Sequence, residues 1–259
     1  MVPDLSVVIP AYNEESRLGP TVRAAVDYFR SEGRPFELII VDDGSRDGTS
    51  ARARRLADEL TEVRLIRLAA NHGKGYAVRS GVVNARGRNI LFADADGATP
   101  FAEIQRLYTA LEAGADVAIG SRGLSAKGVE VKAKLYRHVI GRVFHALVET
   151  LTVRDIKDTQ CGFKLFRAPV AHDLFSRMRM NGFSFDVEVL VMAKRRGYRI
   201  AEVPVNWTHQ PGSKVRLTID SLHMAADLVR IRMHCLRGEY ETPHVAPLEQ
   251  LVGVDTRIS

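Results

Sequence analysis

Two aspartates separated by a single residue, Asp94 and Asp96, are the side chains whose type and spacing most clearly predict chemistry. They follow the short apolar run Ile90–Ala93, which is typical of a strand buried on both faces. Carboxylates at the carboxyl end of such a strand lie where open α/β sheets bind ligands. The pair suits a hard divalent cation, Mg²⁺ or Mn²⁺, that shares its oxygen ligands with a substrate phosphate. The alternative is that both acids only shape a turn and cap a helix.

Other polar clusters also come at the ends of apolar runs. The runs predict strands at residues 5–9, 36–41, 64–68, 90–93 and 116–121, with helix-type apolar spacing between them. The polar clusters lie at residues 10–15, 42–49, 71–75, 94–99 and 120–122. Strands that alternate with helices indicate a mostly parallel sheet with right-handed crossovers. We therefore expect the clusters to meet along the carboxyl edge of one sheet.

The composition is that of a soluble globular protein that favours anionic partners. Its 259 residues are 46% hydrophobic and 26% charged, with a formal net charge of +6. Positive charge favours phosphorylated substrates, an anionic membrane surface or nucleic acid. Cys161 and Cys235 do not make a disulfide framework, which favours a reducing, cytoplasmic setting. No apolar run approaches the length of a membrane span, and the early strand predicts that there is no signal peptide.

Two common nucleotide-binding patterns are absent from the sequence. The turn after the first strand is Pro10–Glu14, without the Gly-x-Gly-x-x-Gly of dinucleotide-binding sheets. The glycines on either side of Lys74 are too close together for a Walker-type phosphate loop. Neither a nicotinamide enzyme nor a P-loop nucleotidase is therefore favoured. The acids Glu14 and Asp43 could instead accept hydrogen bonds from a base or a ribose.

Eight segments, taken in order, resemble the signature of inverting family 2 glycosyltransferases with the GT-A fold, an α/β fold with a mostly parallel central sheet. They are Val8–Glu14, Val41–Thr49, Asn71–Gly75, Asp94–Asp96, Gly120–Arg122, Asp158–Phe166, Phe185–Glu188 and Glu202–Trp207. The last three narrow the resemblance to the polyprenyl-phosphate sugar transferases, nearest to the dolichyl-phosphate glucosyltransferases and next to the mannosyltransferases. The resemblance covers about residues 4–216.

The resemblance implies a role for each matching residue. The positions that would hold the nucleotide base and ribose are Pro10, Tyr12, Glu14, Val41 and Asp43. Lys74 matches a lysine of the donor-binding region, and Asp94 and Asp96 match the donor and metal acids, with Asp96 as the direct metal ligand. Arg122 and Arg137 match basic residues near the two phosphates, and Lys214, in Gly212-Ser-Lys, resembles the family's late basic contact. One position departs from the mannosyl branch, because Ala98 stands where that branch has a metal-binding glutamine.

The acceptor decides whether a general base is needed. A lipid monophosphate is already ionised at neutral pH, so positioning and electrostatics would be enough for transfer to it. A sugar hydroxyl would require a base, for which Asp158, Asp186 and Glu188 are candidates. Gln160 and Trp207 belong to the same late segments and are further candidates for the acceptor and sugar side, although Trp207 could simply be a packing residue.

The end of the chain is predicted to carry an amphipathic helix. We divide the sequence into a GT-A domain at residues 1–216, this helix at 217–240 and a loose tail at 241–259. Apolar residues recur at helical spacing from Ile219, with arginines between them. Such a helix can pack on the sheet, form a homodimer or lie in an anionic membrane interface.

The leading functional hypothesis is transfer of glucose from UDP-glucose to a polyprenyl phosphate, with inversion, by a cytoplasmic protein peripheral to the membrane. GDP-mannose as the donor and a non-lipid glycan as the acceptor are the enzymatic alternatives. A non-enzymatic alternative is a module that binds a sugar nucleotide without turnover. Nucleic acid is not an expected partner, because the chain lacks clusters of base-stacking aromatic residues.

Overall fold

The computed structural model describes residues 2–126, 128–132, 156–210 and 219–242. The first half alternates strands and helices as predicted. Its elements are β1 (Leu5–Ala11), α1 (Glu15–Ser31), β2 (Phe36–Asp42), α2 (Thr49–Glu59), β3 (Val63–Arg67), α3 (Lys74–Val83), β4 (Asn89–Ala93), a 3-10 turn (Phe101–Glu103), α4 (Ile104–Glu112) and β5 (Val117–Ser121). The later elements are β6 (Val131–Lys132), β7 (Phe163–Arg167), α5 (Ala168–Arg177), α6 (Phe185–Arg195), β8 (Ile200–Pro204), β9 (Trp207–Thr208) and α7 (Ile219–Leu236).

Seven of these strands form one sheet in the order β3–β2–β1–β4–β7–β5–β8. All neighbouring pairs are parallel except those of β7, which runs antiparallel to both β4 and β5. The prediction of a mostly parallel sheet is confirmed. Because β7 is reversed, its first residue, Phe163, pairs with Ala93 at the carboxyl end of β4. The segment before β7 therefore lies at the same edge of the sheet as the loops that follow the parallel strands.

Two apolar layers cover the faces of the sheet. Val8, Ile39 and Phe92 lie in the cluster that also contains residues of α3, α5, α6 and α7. Their strand neighbours point the opposite way, into a second cluster with residues of α1, α2 and α4. This alternation follows from the two-residue period of a strand, and burial on both faces explains why the strands read as continuous apolar runs.

Helix α7 contributes to the first of these layers. Its residues Leu228, Ile231 and Cys235 are buried in that cluster together with Tyr240, which follows the helix. The predicted domain limits at 216 and 240 remain a prediction, and all of the predicted tail at 241–259 except its first two residues lies outside the described residues. In the described ranges, none of the helices combines the length and apolarity needed to cross a bilayer.

A glycine inside α3 allows that helix to lie close to the sheet. A Cβ built on Gly81 would stand 2.3 Å from Val8 Cγ1 and 3.0 Å from Val41 Cγ2. Both valines are fully buried in the middle of the sheet and have little room to move. By contrast, a Cβ on the helical Gly19 of α1 would make ordinary contacts, the nearest at 3.5 Å from the Arg52 side chain.

We expect Gly81→Ala to destabilise the protein although alanine favours helices, because overpacking a buried contact typically costs about 1–3 kcal/mol. The matched control, Gly19→Ala, should cost less than Gly81→Ala, because its Cβ meets only ordinary contacts and the remaining cost is that of helical backbone before Pro20. Urea unfolding of both variants measures the difference. Equal stability of the two variants would contradict the close helix–sheet contact at Gly81.

Candidate active site

The polar clusters predicted from the sequence do meet at the carboxyl edge of the sheet. Two loops at this edge, those that follow β1 and β2, are joined to each other by hydrogen bonds. Asn13 N donates to Ser45 Oγ (2.9 Å), and Arg46 N donates to Asn13 Oδ1 (2.9 Å). Asn13 has a positive φ of 53°, a conformation that asparagine tolerates better than most residues. Glu14 N donates to Thr49 Oγ1 (2.7 Å), so the start of α1 is fixed to the start of α2.

The predicted nucleotide-side residues lie in or beside these loops. Pro10 and Val41 are paired neighbours on β1 and β2 with buried side chains, and Tyr12 is half-buried in the loop after β1. The Glu14 carboxylate forms a two-point ion pair with Arg17, at 2.6 Å to Nε and 2.5 Å to Nη2. Arg17 was not predicted as a site residue, although its place in the first turn of α1, three residues after Glu14, is a signal for this pairing.

Asp43 organises the loop that leads to Lys74. Its carboxylate accepts hydrogen bonds from Asn71 Nδ2 (2.8 Å), His72 N (2.8 Å) and Gly73 N (2.9 Å). Burial raises the pKa of Asp43 to about 6, although the backbone N–H groups of His72 and Gly73 act in the opposite direction. Gly73 has a φ of 103°, and a Cβ there would lie 2.5 Å from the Asn181 carbonyl oxygen. Only glycine at this position lets the loop pack directly against the segment that precedes α6.

The two aspartates after β4 differ in their surroundings. Asp94 Oδ1 lies 2.7 Å from Lys74 Nζ. Gly162 lies directly against Asp94, because a Cβ on Gly162 would stand 2.0 Å from Asp94 Oδ2. Asp96 Oδ1 accepts a hydrogen bond from Ala98 N (3.0 Å). Burial and the charge of Asp94 raise the pKa of Asp96, against the opposing influence of Ala98 N–H, Arg17 and Lys74.

This pair of carboxylates fits a hard divalent cation that is completed by a substrate. Crowded negative charge and desolvation make a nearby cation favourable at Asp96. Among the described residues, no set of three or more His, Cys, Asp or Glu side chains is arranged to hold a metal. Mg²⁺ is commonly bound by one or two carboxylates together with waters and substrate phosphates. The donor set here is of that kind.

Arg122 and Asp158 form a fixed pair beside the aspartates. The guanidinium donates to Asp158 through Nε (2.7 Å) and Nη2 (2.8 Å), and the Arg122 backbone N–H adds a third bond (2.9 Å). Its Cζ atom lies 5.4 Å from the centroid of the half-buried Trp207 ring. Burial alone would raise the pKa of Asp158, but Arg122 outweighs burial and holds it below its ordinary value. Asp158 therefore orients an arginine and stays ionised.

Asp186 and Glu188 occupy the first turn of α6 but serve different contacts. Asp186 forms a buried ion pair with Lys164 of β7. Glu188 accepts hydrogen bonds from Arg179 N (3.0 Å), Met180 N (2.9 Å) and Tyr240 Oη (2.9 Å). It thus fastens the segment before α6 to the turn that follows α7. Lys164 was not predicted as a site residue, yet a lysine within the apolar strand Phe163–Phe166 is a visible signal.

The remaining predicted residues are at the margin of the site or outside the described ranges. Gln160 Nε2 lies 4.0 Å from Met224 Sδ of α7 and links that helix to the segment before β7. Thr208 N donates to Ala98 O (2.9 Å), which places Trp207 and β9 beside the loop that carries the aspartates. Arg137 and Lys214 lie outside the described residues, so their roles remain predictions from the sequence.

The chain resembles known glycosyltransferases in sequence and in fold. Residues 6–175 match Glycosyl transferase family 2. The dolichyl-phosphate beta-glucosyltransferase of Saccharomyces cerevisiae is 40% identical over 255 residues, which cover 91% of this chain and 76% of the relative. The human protein of the same name is 40% identical over 249 residues, covering 91% of this chain and 77% of the relative.

A solved structure supports the same fold at low sequence identity. It is glucosyl-3-phosphoglycerate synthase from Mycobacterium tuberculosis in complex with Mn²⁺, UDP-glucose and phosphoglyceric acid. The TM-score is 0.63 at 18% identity, over 93% of this chain and 81% of the other. The GT-A prediction is confirmed by this likeness in fold together with the family match.

The contacts of Glu188 predict a pH-dependent stability. Burial raises the pKa of Glu188 to about 7, against the hydrogen bonds it accepts, from an ordinary value of 4.5. Between these values the folded protein holds a proton that the unfolded chain has released, so stability should fall as the pH rises through this window. Relative to Glu188→Gln, the wild type should lose about 2–3 kcal/mol of unfolding free energy across the window.

Urea unfolding of wild type and Glu188→Gln at several pH values measures this loss. Glu112→Gln, on the exposed side of α4, is the matched control and should keep the wild-type pH dependence. If Glu188→Gln also keeps the wild-type dependence, Glu188 is not the buried carboxyl that the structure describes.

Proposed function

The chain belongs to glycosyl transferase family 2, and from that premise we propose that it transfers glucose from UDP-glucose to a polyprenyl phosphate with inversion at the sugar carbon. The names of the yeast and human relatives support glucose as the sugar and a polyprenyl phosphate, dolichyl phosphate, as the acceptor. Ala98, where the mannosyl branch has a metal-binding glutamine, leaves the proposed cation to Asp96, waters and diphosphate oxygens.

A phosphate acceptor is proposed because all three candidate bases already have hydrogen-bond or ion-pair partners within the protein. Asp158 is held by Arg122, and Asp186 is paired with Lys164. Glu188 is fully buried among backbone N–H groups and the Tyr240 hydroxyl. A hydroxyl acceptor would need a general base within hydrogen-bond reach, whereas a phosphate monoester is ionised at neutral pH. The site therefore suits a phosphate oxygen as the nucleophile.

The donor is proposed to lie across the loops at the carboxyl edge. The loops after β1 and β2, with Tyr12 and Asp43, would hold the nucleoside, and Lys74 and Arg122 would face the diphosphate side. Arg122 commits Nε and Nη2 to Asp158, so its Nη1 side is the part directed to a phosphate. Arg137 and Lys214 are proposed to add positive charge there, on the basis of the sequence alone.

Asp96, aided by Asp94, is proposed to hold Mg²⁺ or Mn²⁺. When bound, the cation would neutralise charge that develops on the departing diphosphate. The Mn²⁺ complex of the mycobacterial enzyme supports this proposal only as a property of that protein.

The transfer step then needs no proton movement. An oxygen of the acceptor phosphate forms a bond to the anomeric carbon while the bond from that carbon to UDP breaks. The electron pair of the broken bond leaves with UDP, and attack from the opposite face inverts the configuration. Arg122, held in one orientation by Asp158, would stabilise the negative charge as it shifts to the leaving group.

We expect purified protein with UDP-glucose, Mn²⁺ and a short polyprenyl phosphate to form an organic-extractable glucolipid. Asp96→Asn should reduce kcat/KM by at least about a hundredfold, because a ligand to the charge-stabilising cation is lost. Asp27→Asn, an exposed change on α1, is the matched control and should behave as wild type. Labelled product in the organic phase is the measurement.

Parallel reactions with GDP-mannose and with a soluble glycan acceptor separate the enzymatic alternatives. Product only from GDP-mannose, or only in the aqueous phase, would replace the proposed donor or acceptor. UDP-glucose binding with no product from any acceptor would favour a module without turnover.

The exposed face of α7 is proposed to contact an anionic membrane surface on the cytoplasmic side. Val229, Met233 and Leu236 are 52%, 41% and 74% exposed and lie on one face of the helix. Arg230 and Arg232 are exposed beside them. Exposed apolar residues flanked by arginines complement the acyl–headgroup boundary of anionic bilayers. A lipid acceptor would also have to be reached from such a surface.

We expect the protein to float with phosphatidylcholine vesicles that contain phosphatidylglycerol, and less with pure phosphatidylcholine. Arg230→Gln with Arg232→Gln should weaken binding about thirtyfold, since each of the two basic residues near the surface contributes about 1 kcal/mol. Arg54→Gln with Arg55→Gln, an exposed pair on α2, is the control of equal charge. If both double variants lose vesicle binding equally, α7 is not the membrane-binding surface. If the protein self-associates and Leu236→Ser abolishes this, the exposed face of α7 forms a homodimer.

A further inference from the structure

Two lysines and two aspartates alternate in a row beneath the candidate active site. Asp94 Oδ1 is 2.7 Å from Lys74 Nζ, and Lys164 is paired with Asp186. Both ammonium groups lie near the Phe92 ring, with Lys74 Nζ 5.2 Å and Lys164 Nζ 5.8 Å from its centroid, and Lys74 Nζ lies 6.0 Å from the ring of Phe185, the residue next to Asp186. The two pairs are therefore neighbours in the series Lys164, Asp186, Lys74, Asp94. We infer that Lys164 and Asp186 are positioning residues that hold the Lys74 ammonium against Asp94, which leaves Asp96 to the cation. This inference rests on the proposed function.

The strand pairing places Lys164 beneath the site. Lys164 is the partner of Phe92 in the antiparallel β4–β7 pair, so both side chains lie on the same face of the sheet. Lys164 is 2% exposed, and its Nζ donates to Cys161 O (2.7 Å) as well as to Asp186. Its Nζ also lies 5.8 Å from the Phe92 ring centroid. No solvent competes for this ammonium group, so Asp186 is its charge partner.

Aromatic rings confine Lys74 between the two acids. Its Nζ lies 5.2 Å from the centroid of Phe92 and 6.0 Å from those of Phe183 and Phe185. Phe185 and Asp186 are adjacent in the first turn of α6, so the same turn supplies a ring and a charge to Lys74. Burial alone would lower the pKa of Lys74, but Asp94 and Asp186 outweigh it and raise the pKa. Lys74 is thus held as a cation by acids on two sides.

The balance of charge explains why the second pair is needed. Asp94, Asp96 and Asp186 carry three formal negative charges, and Lys74 and Lys164 carry two positive charges. Among these five groups, the one negative charge without a lysine of its own is that of Asp96, at the open end of the row. Without Lys164, Asp186 would have only Lys74 as a close cation, and it would compete with Asp94 for that ammonium group.

A purely structural role for the buried pair predicts a different pattern of variants. Removing one member of a buried ion pair leaves an unpaired charge, whereas replacing both members by apolar residues is often tolerated. The double variant Lys164→Met/Asp186→Leu should therefore fold with a Tm near that of the wild type. If the pair also positions Lys74, this stable variant should still bind the donor poorly.

The experiment makes three measurements on each variant: UDP affinity by calorimetry in the presence of Mn²⁺, the Tm, and the kinetics of glucose transfer. We expect the double variant and Asp186→Asn to weaken UDP binding about tenfold and to raise the KM for UDP-glucose, with the KM for polyprenyl phosphate unchanged. The single variant Lys164→Met should bind UDP more weakly than the double variant, because ionised Asp186 then draws the Lys74 ammonium group away from Asp94. Lys194→Met, an exposed change on α6, is the control for the loss of one positive charge.

A double variant with wild-type Tm and wild-type UDP affinity would overturn the inference, since the pair would then serve stability alone. Single and double variants that differ from the wild type only in Tm would overturn it as well. A wild-type protein that binds UDP with Mn²⁺ but transfers no glucose would refute the proposed function, while the binding series would still test the positioning of Lys74.

Discussion

The ion pair between Lys74 and Asp94 joins the start of α3 to the end of β4, and the rest of the site is arranged around it. Two carboxylates one residue apart repel each other, and a cation fixed to one of them leaves the other for a metal. Two glycines allow the backbone to pack closely around this ion pair. Gly162 touches Asp94, and Gly73 touches the Asn181 carbonyl group, at distances that no side chain would allow.

The reversed strand β7 makes this arrangement possible. A strand running parallel to β4 and β5 would carry its preceding segment to the opposite edge of the sheet. Because β7 is antiparallel, its entry segment brings Asp158 and Gly162 to the site edge, and its second residue, Lys164, lies beneath the site next to Phe92. One change of strand direction thus supplies a partner for Arg122, a close contact for Asp94 and a counter-charge for Asp186.

In the proposed reaction, this site neutralises charge and does not remove protons. Three acids of the site each form an ion pair with a basic residue: Asp94 with Lys74, Asp158 with Arg122 and Asp186 with Lys164. Asp96 is the carboxylate left for a cation. The proposed reaction between two phosphorylated substrates presents surplus negative charge and needs no base, so the proposed acceptor suits this arrangement of charges.

The sequence by itself determined the local part of this organisation. Apolar runs predicted the strands β1 to β5, and the polar clusters at their ends predicted a shared edge with Asp94 and Asp96 at its centre, because parallel strands all end on one side. From the sequence, Asp158, Asp186 and Glu188 were candidates for a general base if the acceptor were a sugar hydroxyl. The partners of the first two, Arg122 and Lys164, are 36 and 22 residues away in the chain, and Glu188 meets Tyr240 across 52 residues. Spacing along the chain carries no information about such contacts, since only the direction of β7 and the packing of α6 and α7 bring the charges together.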